Sequence, residues 1–344
     1  MFLLFRRRFA SNIVNATKVS SRLANVEYPC EIVSRSERWI KSQNTERNYY
    51  MAPRPELIKV VYNGQPHPGT ELEMSKGLST PFDCAKHMTQ MLCDRSVIAI
   101  VDGCPHDMHR PLTRDAKLDF VHFKDINVDP TEANLAFWRS CQLVLAAAVE
   151  SAFKEHFPMR LLAFHHTPLE SGSFVADFRM ELETTEEFDK MVSWSPSEHD
   201  LRAISVVGQA ISAKALPFEC LDLDRKGCME VMQDDYRMLC FDDESSQKKC
   251  TLFRVGNYVQ IYPHGPMISF TSQIGRFSVS SFRLLGGLSS SKPNGSNLQL
   301  VYRAQGIAVP AAFLTHFTTY DVLLRQARRQ NSSISETPDY VRPL

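Results

Sequence analysis

The chain has 344 residues, with 39 lysines plus arginines and 39 aspartates plus glutamates, so its formal net charge is zero. This balance excludes a broadly basic surface for nucleic acid, although it leaves room for a local basic patch. No apolar run approaches the roughly 18 residues that a membrane-spanning helix needs. The nine cysteines contain no C-x-x-C pair, which favours reduced thiols and a compartment outside the secretory pathway.

The first 26 residues are basic and differ from the rest of the chain. They hold four serines or threonines and no acidic residue before Glu27. Their basic residues are Arg6, Arg7, Arg8, Lys18 and Arg22. This composition is typical of a mitochondrial presequence, so we expect residues 1–26 to direct import into the matrix, with cleavage after Phe9. A disordered basic tail is the alternative interpretation.

Residues 56–124 have the pattern of a small β-grasp domain. Strand-like runs occur at 57–62, 97–101 and 118–123. Between the first two runs, Thr80, Pro81 and Asp83 have the identities and spacing of a helix start. The preceding residues 27–55 lack clear periodicity, and we expect them to form an N-terminal arm, extended or with a short helix.

Residues 130–309 mix helical and strand-like segments, which gives the chain an α+β fold class. The segment Asp129-Pro130-Thr131-Glu132 predicts the start of its first helix. Further elements are predicted as strands near 174–180, 236–241, 251–255, 258–262, 277–284 and 298–302, a helix over 196–215, and a loop over 286–297. We expect a C-terminal helix over 310–330, opened by Pro310, and a disordered tail over 331–344.

The residues themselves provide no convincing catalytic, cofactor-binding or metal-binding site. There is no glycine-rich phosphate loop and no nucleophile elbow. The densest cluster of potential metal ligands, Cys104-Pro105-His106-Asp107-Met108-His109, matches no common zinc spacing and is interpreted as exposed turn side chains. His165 and His166 have no nucleophile or base near them at a spacing typical of a catalytic site.

Three arginines, Arg325, Arg328 and Arg329, come at the end of the predicted C-terminal helix. Cations at a helix C-terminus complement the helix dipole, and the same groups could contact RNA phosphates. Both interpretations stay open, and we carry these three residues forward as the candidate RNA contacts.

In its order of segments, the chain resembles the first part of the threonyl-tRNA synthetases. In that family a TGS domain, which is a β-grasp domain, precedes a domain that hydrolyses mischarged tRNA. The resemblance covers about 56–309 and rests on the following residues: Val101-Asp102-Gly103, Pro111-Leu112, Arg139-Ser140-Cys141, Ser171-Gly172, Asp177, Tyr258-Val259, Gly265-Pro266 and Val301-Tyr302-Arg303-Ala304-Gln305-Gly306. It implies a TGS-like domain at 56–124 and an editing-like domain at 130–309.

The editing residues of that family are missing here. The two histidines of the first editing helix correspond to Arg139 and Leu143, and a later cysteine and histidine correspond to Tyr262 and Met267. A guanidinium cannot accept a proton, and a leucine has no polar atom. The resemblance therefore implies a relative without hydrolytic activity, cofactor or small-molecule substrate.

The chain also resembles a family of synthetase-like proteins of the mitochondrial large ribosomal subunit. The specific likeness lies in Phe137-Trp138-Arg139-Ser140-Cys141, Leu216-Pro217-Phe218-Glu219, Phe253-Arg254-Val255-Gly256, Arg303-Ala304-Gln305-Gly306, His316-Phe317 and Asp321. It implies a structural constituent of that subunit in the mitochondrial matrix, with ribosomal proteins and ribosomal RNA as partners. The alternatives are an RNA- or tRNA-binding regulator outside the ribosome and a free-standing tRNA-editing hydrolase.

Overall fold

A computed structural model describes residues 26–51, 53–125, 129–153, 157–233, 249–288, 298–336 and 338–342. The fold is mixed α+β, with three sheets in the described part of the chain. No helix within these ranges has the length and apolarity needed to cross a bilayer. Residues 1–25 of the predicted presequence, the strand at 236–241 and most of the loop at 286–297 lie outside the described residues.

The helices and strands alternate irregularly along the chain. The α-helices are α1 (Cys30–Met51), α2 (Pro81–Met88), α3 (Gln90–Arg95), α4 (Thr131–Ala152), α5 (Thr185–Ser193), α6 (Glu198–Ser212), α7 (Arg225–Met232) and α8 (Phe317–Ala327). The strands are β1 (Leu57–Tyr62), β2 (Thr70–Ser75), β3 (Ile98–Val101), β4 (Cys104–His106), β5 (Ala116–Val121), β6 (Met159–Phe164), β7 (Phe174–Leu182), β8 (Phe218–Leu223), β9 (Cys250–Val255), β10 (Tyr258–Ile261), β11 (Ile274–Leu288), β12 (Leu298–Pro310) and β13 (Val341–Arg342).

The described residues divide into two compact units, each made of separate segments of the chain. The first unit comprises Cys30–Ser140 and Ala215–Gln273. The second comprises the described residues of Met1–Pro29, Cys141–Lys214 and Ile274–Leu344. The segment 130–309 therefore contributes to both units, and the boundary at residue 140 falls inside helix α4.

In the first unit, one sheet has the strand order β2-β1-β5-β3-β4. Strands β1 and β5 pair in parallel, and the other neighbours pair antiparallel. Helix α2 begins as predicted, because Thr80 and Asp83 form a reciprocal capping box with Pro81 in the first turn. Asp102 and Gly103 both have positive φ in the turn between β3 and β4.

A second, three-stranded sheet of the first unit has the order β10-β9-β8 and packs with helices α1 and α7. The predicted N-terminal arm is largely a helix of 22 residues. Its buried face consists of Ile32, Arg35, Ser36 and Trp39, so two of its four members are polar. Such a stripe shows no apolar period in the sequence, so periodicity could not show how long the helix of the predicted arm is.

The second unit is built on a five-stranded sheet with the order β13-β11-β12-β7-β6, in which every described pair is antiparallel. Helix α6 contacts β11. Gly208 of α6 leaves room for the Phe277 ring, which a Cβ at that position would meet. Phe174 of β7 stacks on Phe277 with ring centroids 5.8 Å apart.

Two predictions at the C-terminal end are wrong. Pro310 ends strand β12 rather than opening a helix, and α8 begins at Phe317 with His316 as its cap. The tail predicted to be disordered is held on the second unit, since Val341 and Arg342 pair with β11. Asn331 is buried and donates to the backbone oxygen and hydroxyl of Ser173 at 2.8 and 3.0 Å. The segment is held by hydrogen bonds of polar side chains, and a polar composition is also typical of disordered segments. Composition alone therefore predicts disorder here.

Candidate functional site

Arg139 lies on α4 at the position of the first editing histidine, and it is half-buried. Its Nη1 donates to the backbone oxygen of Pro266 at 3.3 Å. Gly265 precedes this proline with φ of +46°, and a Cβ added there would meet the Arg139 guanidinium. The guanidinium therefore packs directly against the backbone of the turn at 265–267.

That turn is fixed from two other places in the first unit. The amide of Met267 donates to Asp107 Oδ1 at 2.8 Å, and the amide of Ile268 donates to Ser140 Oγ at 2.9 Å. Met267 itself is 1% exposed. Its backbone donor is already bonded, and its thioether sulfur accepts from Ser140 Oγ at 3.5 Å, so this position offers no group that could act as a general base.

The other two positions, 262 and 143, are also buried. Tyr262 is 3% exposed, and burial raises the pKa of its hydroxyl, an effect that the nearby charge of Arg139 only partly offsets. The hydroxyl therefore stays protonated at neutral pH. Leu143 is fully buried. None of the four positions provides a general base for activating water.

The cluster at 104–109 is only partly the exposed turn that the sequence predicts. Cys104 is exposed, but Asp107 and Met108 are 3% and 1% exposed. Asp107 Oδ2 accepts from Arg110 Nε at 2.9 Å, and Arg110 also donates to Asp222. Asp107 is buried because it bonds Arg110 and the Met267 amide at once. Across the residues that the structure covers, no group of three or more His, Cys, Asp or Glu side chains is arranged to hold a metal.

A buried polar cluster in the second unit was missed by the sequence analysis. Asp177 accepts from Arg303 Nε and Nη2, from the Tyr340 hydroxyl at 2.6 Å, and lies 2.7 Å from His165 Nε2. Burial acts to raise the pKa of Asp177, but the hydrogen bonds and charges of Arg303 and His165 outweigh it and lower the pKa to about 2. The residues come from segments far apart in sequence, so no spacing signal could have joined them.

The candidate RNA contacts Arg325, Arg328 and Arg329 are all exposed at the end of α8. Arg328 Nη1 lies 3.3 Å from a carboxylate oxygen of Glu198, with both side chains about half or more exposed. Arg325 Nε donates to the backbone oxygen of Asp321 at 3.3 Å. The guanidinium groups therefore remain accessible to a phosphate, and the exposed ion pair costs little to exchange.

The chain matches no established family model. It is 31% identical to the large ribosomal subunit protein mL39 of Drosophila melanogaster over 302 residues, which cover 87% of this chain and 84% of that protein. It is also 26% identical to the human mitochondrial threonine–tRNA ligase over 295 residues, and 24% identical to a cytoplasmic threonine–tRNA ligase of Caenorhabditis elegans over 302 residues. These matches cover 82% and 87% of this chain but 37% of each ligase. The extent and identity of the first match show that the chain belongs to the mL39 family of large ribosomal subunit proteins.

Proposed function

We propose that the chain is a structural constituent of the mitochondrial large ribosomal subunit and supports mitochondrial translation without doing chemistry. The observation that carries the proposal is the similarity to a ribosomal protein along nearly the whole chain. The site agrees with it, since Arg139, Leu143, Tyr262 and Met267 offer no general base.

We further propose a TGS-like β-grasp domain at 56–124 and an editing-like domain at 130–309. The mixed sheet β2-β1-β5-β3-β4 with helix α2 supports the first assignment. The similarity to threonine–tRNA ligases over more than four-fifths of the chain supports both. The presequence at 1–26, the matrix location and the cleavage after Phe9 are proposed from composition alone.

The partners in this proposal are proteins of the large subunit and its ribosomal RNA. Arg325, Arg328 and Arg329 are the proposed RNA contacts, because three exposed guanidinium groups lie close together at one helix end. With equal numbers of acidic and basic residues in the chain, RNA contact is expected to stay local.

Gradient sedimentation of a mitochondrial lysate tests the ribosomal role. The protein should sediment with the large subunit and with assembled ribosomes, and it should return to the top of the gradient when subunits are dismantled with a magnesium chelator. A pool that never enters the large-subunit fractions, or that binds free tRNA instead, would favour a regulator outside the ribosome.

A hydrolysis assay tests the absence of editing activity. Purified protein should leave seryl-tRNA intact at the buffer rate, with and without zinc. Hydrolysis that a substitution at Arg139 abolishes would show that the site still works and would contradict this part of the proposal.

A further inference from the structure

The first unit contains a cavity of about 620 Å³. Helix α1, the region from α2 to the loop after β4, and strand β8 all contribute to its wall. The volume lies in the range of ordinary ligand and peptide pockets. It is separate from the positions at 139, 262 and 267, which do not line it.

The wall formed by β8 is the edge of a sheet rather than its face. In the order β10-β9-β8, strand β8 has a neighbouring strand on one side only, as far as the described residues go. Glu219, Cys220, Leu221 and Asp222 all line the cavity. A sheet face would present alternate residues, because successive side chains point to opposite faces. Four consecutive lining residues therefore indicate that the open edge of β8 faces the cavity.

Two main-chain bonds outside the β8–β9 ladder show which groups point to that edge. The amide of Phe218 donates to Ser269 at 3.2 Å, so Phe218 is directed away from β9. Thr251, which pairs with Asp222, accepts from the amide of Tyr262 on the opposite side of β9. Since bonded and non-bonded residues alternate in an antiparallel ladder, Cys220 and Asp222 direct their N–H and C=O groups to the open edge.

These groups have unused hydrogen-bonding capacity. Within the described residues, neither Cys220 nor Asp222 has a main-chain partner outside the β8–β9 ladder. Cys220 is 5% exposed. Unpaired main-chain donors and acceptors at the open edge of a sheet can pair with another strand, so this edge is suited to an added strand.

The other walls determine which side chains such a strand would carry. Phe82, His109 and Phe270 form an aromatic cluster with ring centroids 4.9 to 5.1 Å apart. On α1, Glu46 is half-buried and has no ion pair among the described residues. Burial and the charge of Asp222 raise the pKa of Glu46, against the opposing charge of Lys249. The cavity thus offers an apolar wall and, at Glu46, a carboxyl group without an ion pair among the described residues.

Nucleic acid is a poor fit for the same cavity. Its lining has four basic residues and four acidic ones: Arg47, Lys86, Arg110, Lys249, Glu46, Asp83, Glu219 and Asp222. A phosphate backbone needs a clear excess of positive charge. The balance favours a protein segment.

We propose that the open edge of β8 docks an extended segment of a partner protein by strand addition, with an apolar side chain against Phe82 and Phe270 and a basic side chain near Glu46. The proposal stands on the cavity and does not depend on the ribosomal assignment.

A synthetic peptide tests the proposal on the intact protein. The probe is an acetylated and amidated hexapeptide of alternating valine and lysine. An added strand forms main-chain hydrogen bonds to β8 through every second residue of the peptide. N-methylation of the residues in one alternating set should therefore weaken binding by at least about tenfold, whereas N-methylation of the other set should weaken it far less. Bound peptide should also slow hydrogen exchange of the Cys220 and Asp222 amides, which in the free protein exchange faster than those of Glu219 and Leu221.

Protein variants separate main-chain pairing from charge. Asp222→Pro removes the edge N–H and should bind the peptide more weakly than Asp222→Ala, which loses the same carboxylate but keeps the N–H. Glu46→Gln should weaken binding several-fold, whereas Glu37→Gln on the exposed side of α1 should not. Absence of binding, equal effects of methylation of both alternating sets, or slow exchange of Cys220 and Asp222 in the free protein would overturn the proposal. The last result would mean that these two amides already have hydrogen-bond partners within the chain.

Discussion

Arg303 donates from Nε and Nη2 to the two carboxylate oxygens of Asp177, at 2.7 and 2.8 Å, and neither side chain exposes more than 1% of its surface. The two residues face each other on neighbouring strands, β12 and β7. A bidentate pair of this kind is stable only while both partners remain, because either one alone would be a buried charge.

The first prediction concerns removal of one partner from this pair. Asp177→Asn should lower the free energy of unfolding by about 3–5 kcal/mol, because Arg303 would stay buried without a counter-charge. Denaturant unfolding measures the effect. Glu71→Gln, which breaks the exposed Lys59–Glu71 pair, is the matched control and should cost at most about 1 kcal/mol.

The second prediction is that the protein loses stability at acidic pH as the Asp177 carboxyl becomes protonated. Its pKa falls from 3.8 to about 2 on folding, so the stabilisation is complete above roughly pH 4 and is lost as the pH drops towards 2. Unfolding free energies measured from pH 5 to 2 should fall more steeply for the unmodified protein than for Asp177→Asn. Parallel curves would show that Asp177 is not the group responsible.

A third prediction concerns the C-terminal segment. Tyr340→Phe removes only the hydroxyl that donates to Asp177 at 2.6 Å, and it should cost about 1.5–3 kcal/mol, as expected for a hydrogen bond to a charged group. Tyr49, which is 78% exposed, provides the control Tyr49→Phe. If both substitutions leave the thermal midpoint unchanged, the segment at 338–342 does not stabilise the second unit.

A fourth prediction tests the packing of Arg139 against Gly265. The methyl group of an alanine at 265 would meet the guanidinium, and the alanine would have to adopt a φ of +46°. Gly265→Ala should therefore lower the free energy of unfolding by about 1–3 kcal/mol. In the Arg139→Ala background the same change should cost less, because only the backbone strain remains. A double-mutant cycle with no coupling energy would place the guanidinium elsewhere.

The last prediction concerns Leu143. Restoring histidine at both 139 and 143 should destabilise the protein, because a fully buried leucine would be replaced by a polar ring. Hydrolysis of seryl-tRNA should not appear, since Tyr262 and Met267 remain. A raised thermal midpoint, or activity in this variant, would contradict the view that the former site has become part of the packed interior.

Local features of the fold could be predicted from the sequence. The start of α2 depends on Thr80, Pro81 and Asp83, which interact within one turn. Strand β1 coincides with the strand predicted at 57–62, and helix α6 lies within the helix predicted over 196–215. The correspondence of Arg139 and Leu143 to the editing histidines could be inferred from the resemblance to the synthetases.

Features that depend on distant partners could not be predicted. Asp177 and Arg303 are 126 positions apart, and the tail reaches Asp177 through Tyr340 from 163 positions away. From its sequence neighbours, Asp107 is predicted to be an exposed turn residue. Only the fold shows that it accepts a hydrogen bond from the Met267 amide. In each case the sequence reveals the polar residue, but only the fold supplies the partner that buries it.

The interleaving of the two units also constrains how the chain can acquire its structure. If the chain enters the matrix N-terminus first, as the proposed presequence implies, β1 and β5 can pair early, because their segment is short and largely self-contained. The three-stranded sheet of the first unit must wait for residues 218–261, which follow all of α4 to α6 in the chain. In the second unit, β6 and β7 can pair with each other early, but β7 must keep its other edge unpaired until residues near 300, which form β12, are available. Exposed strand edges in that interval invite pairing with other chains, so we expect this protein to depend on chaperones while it folds.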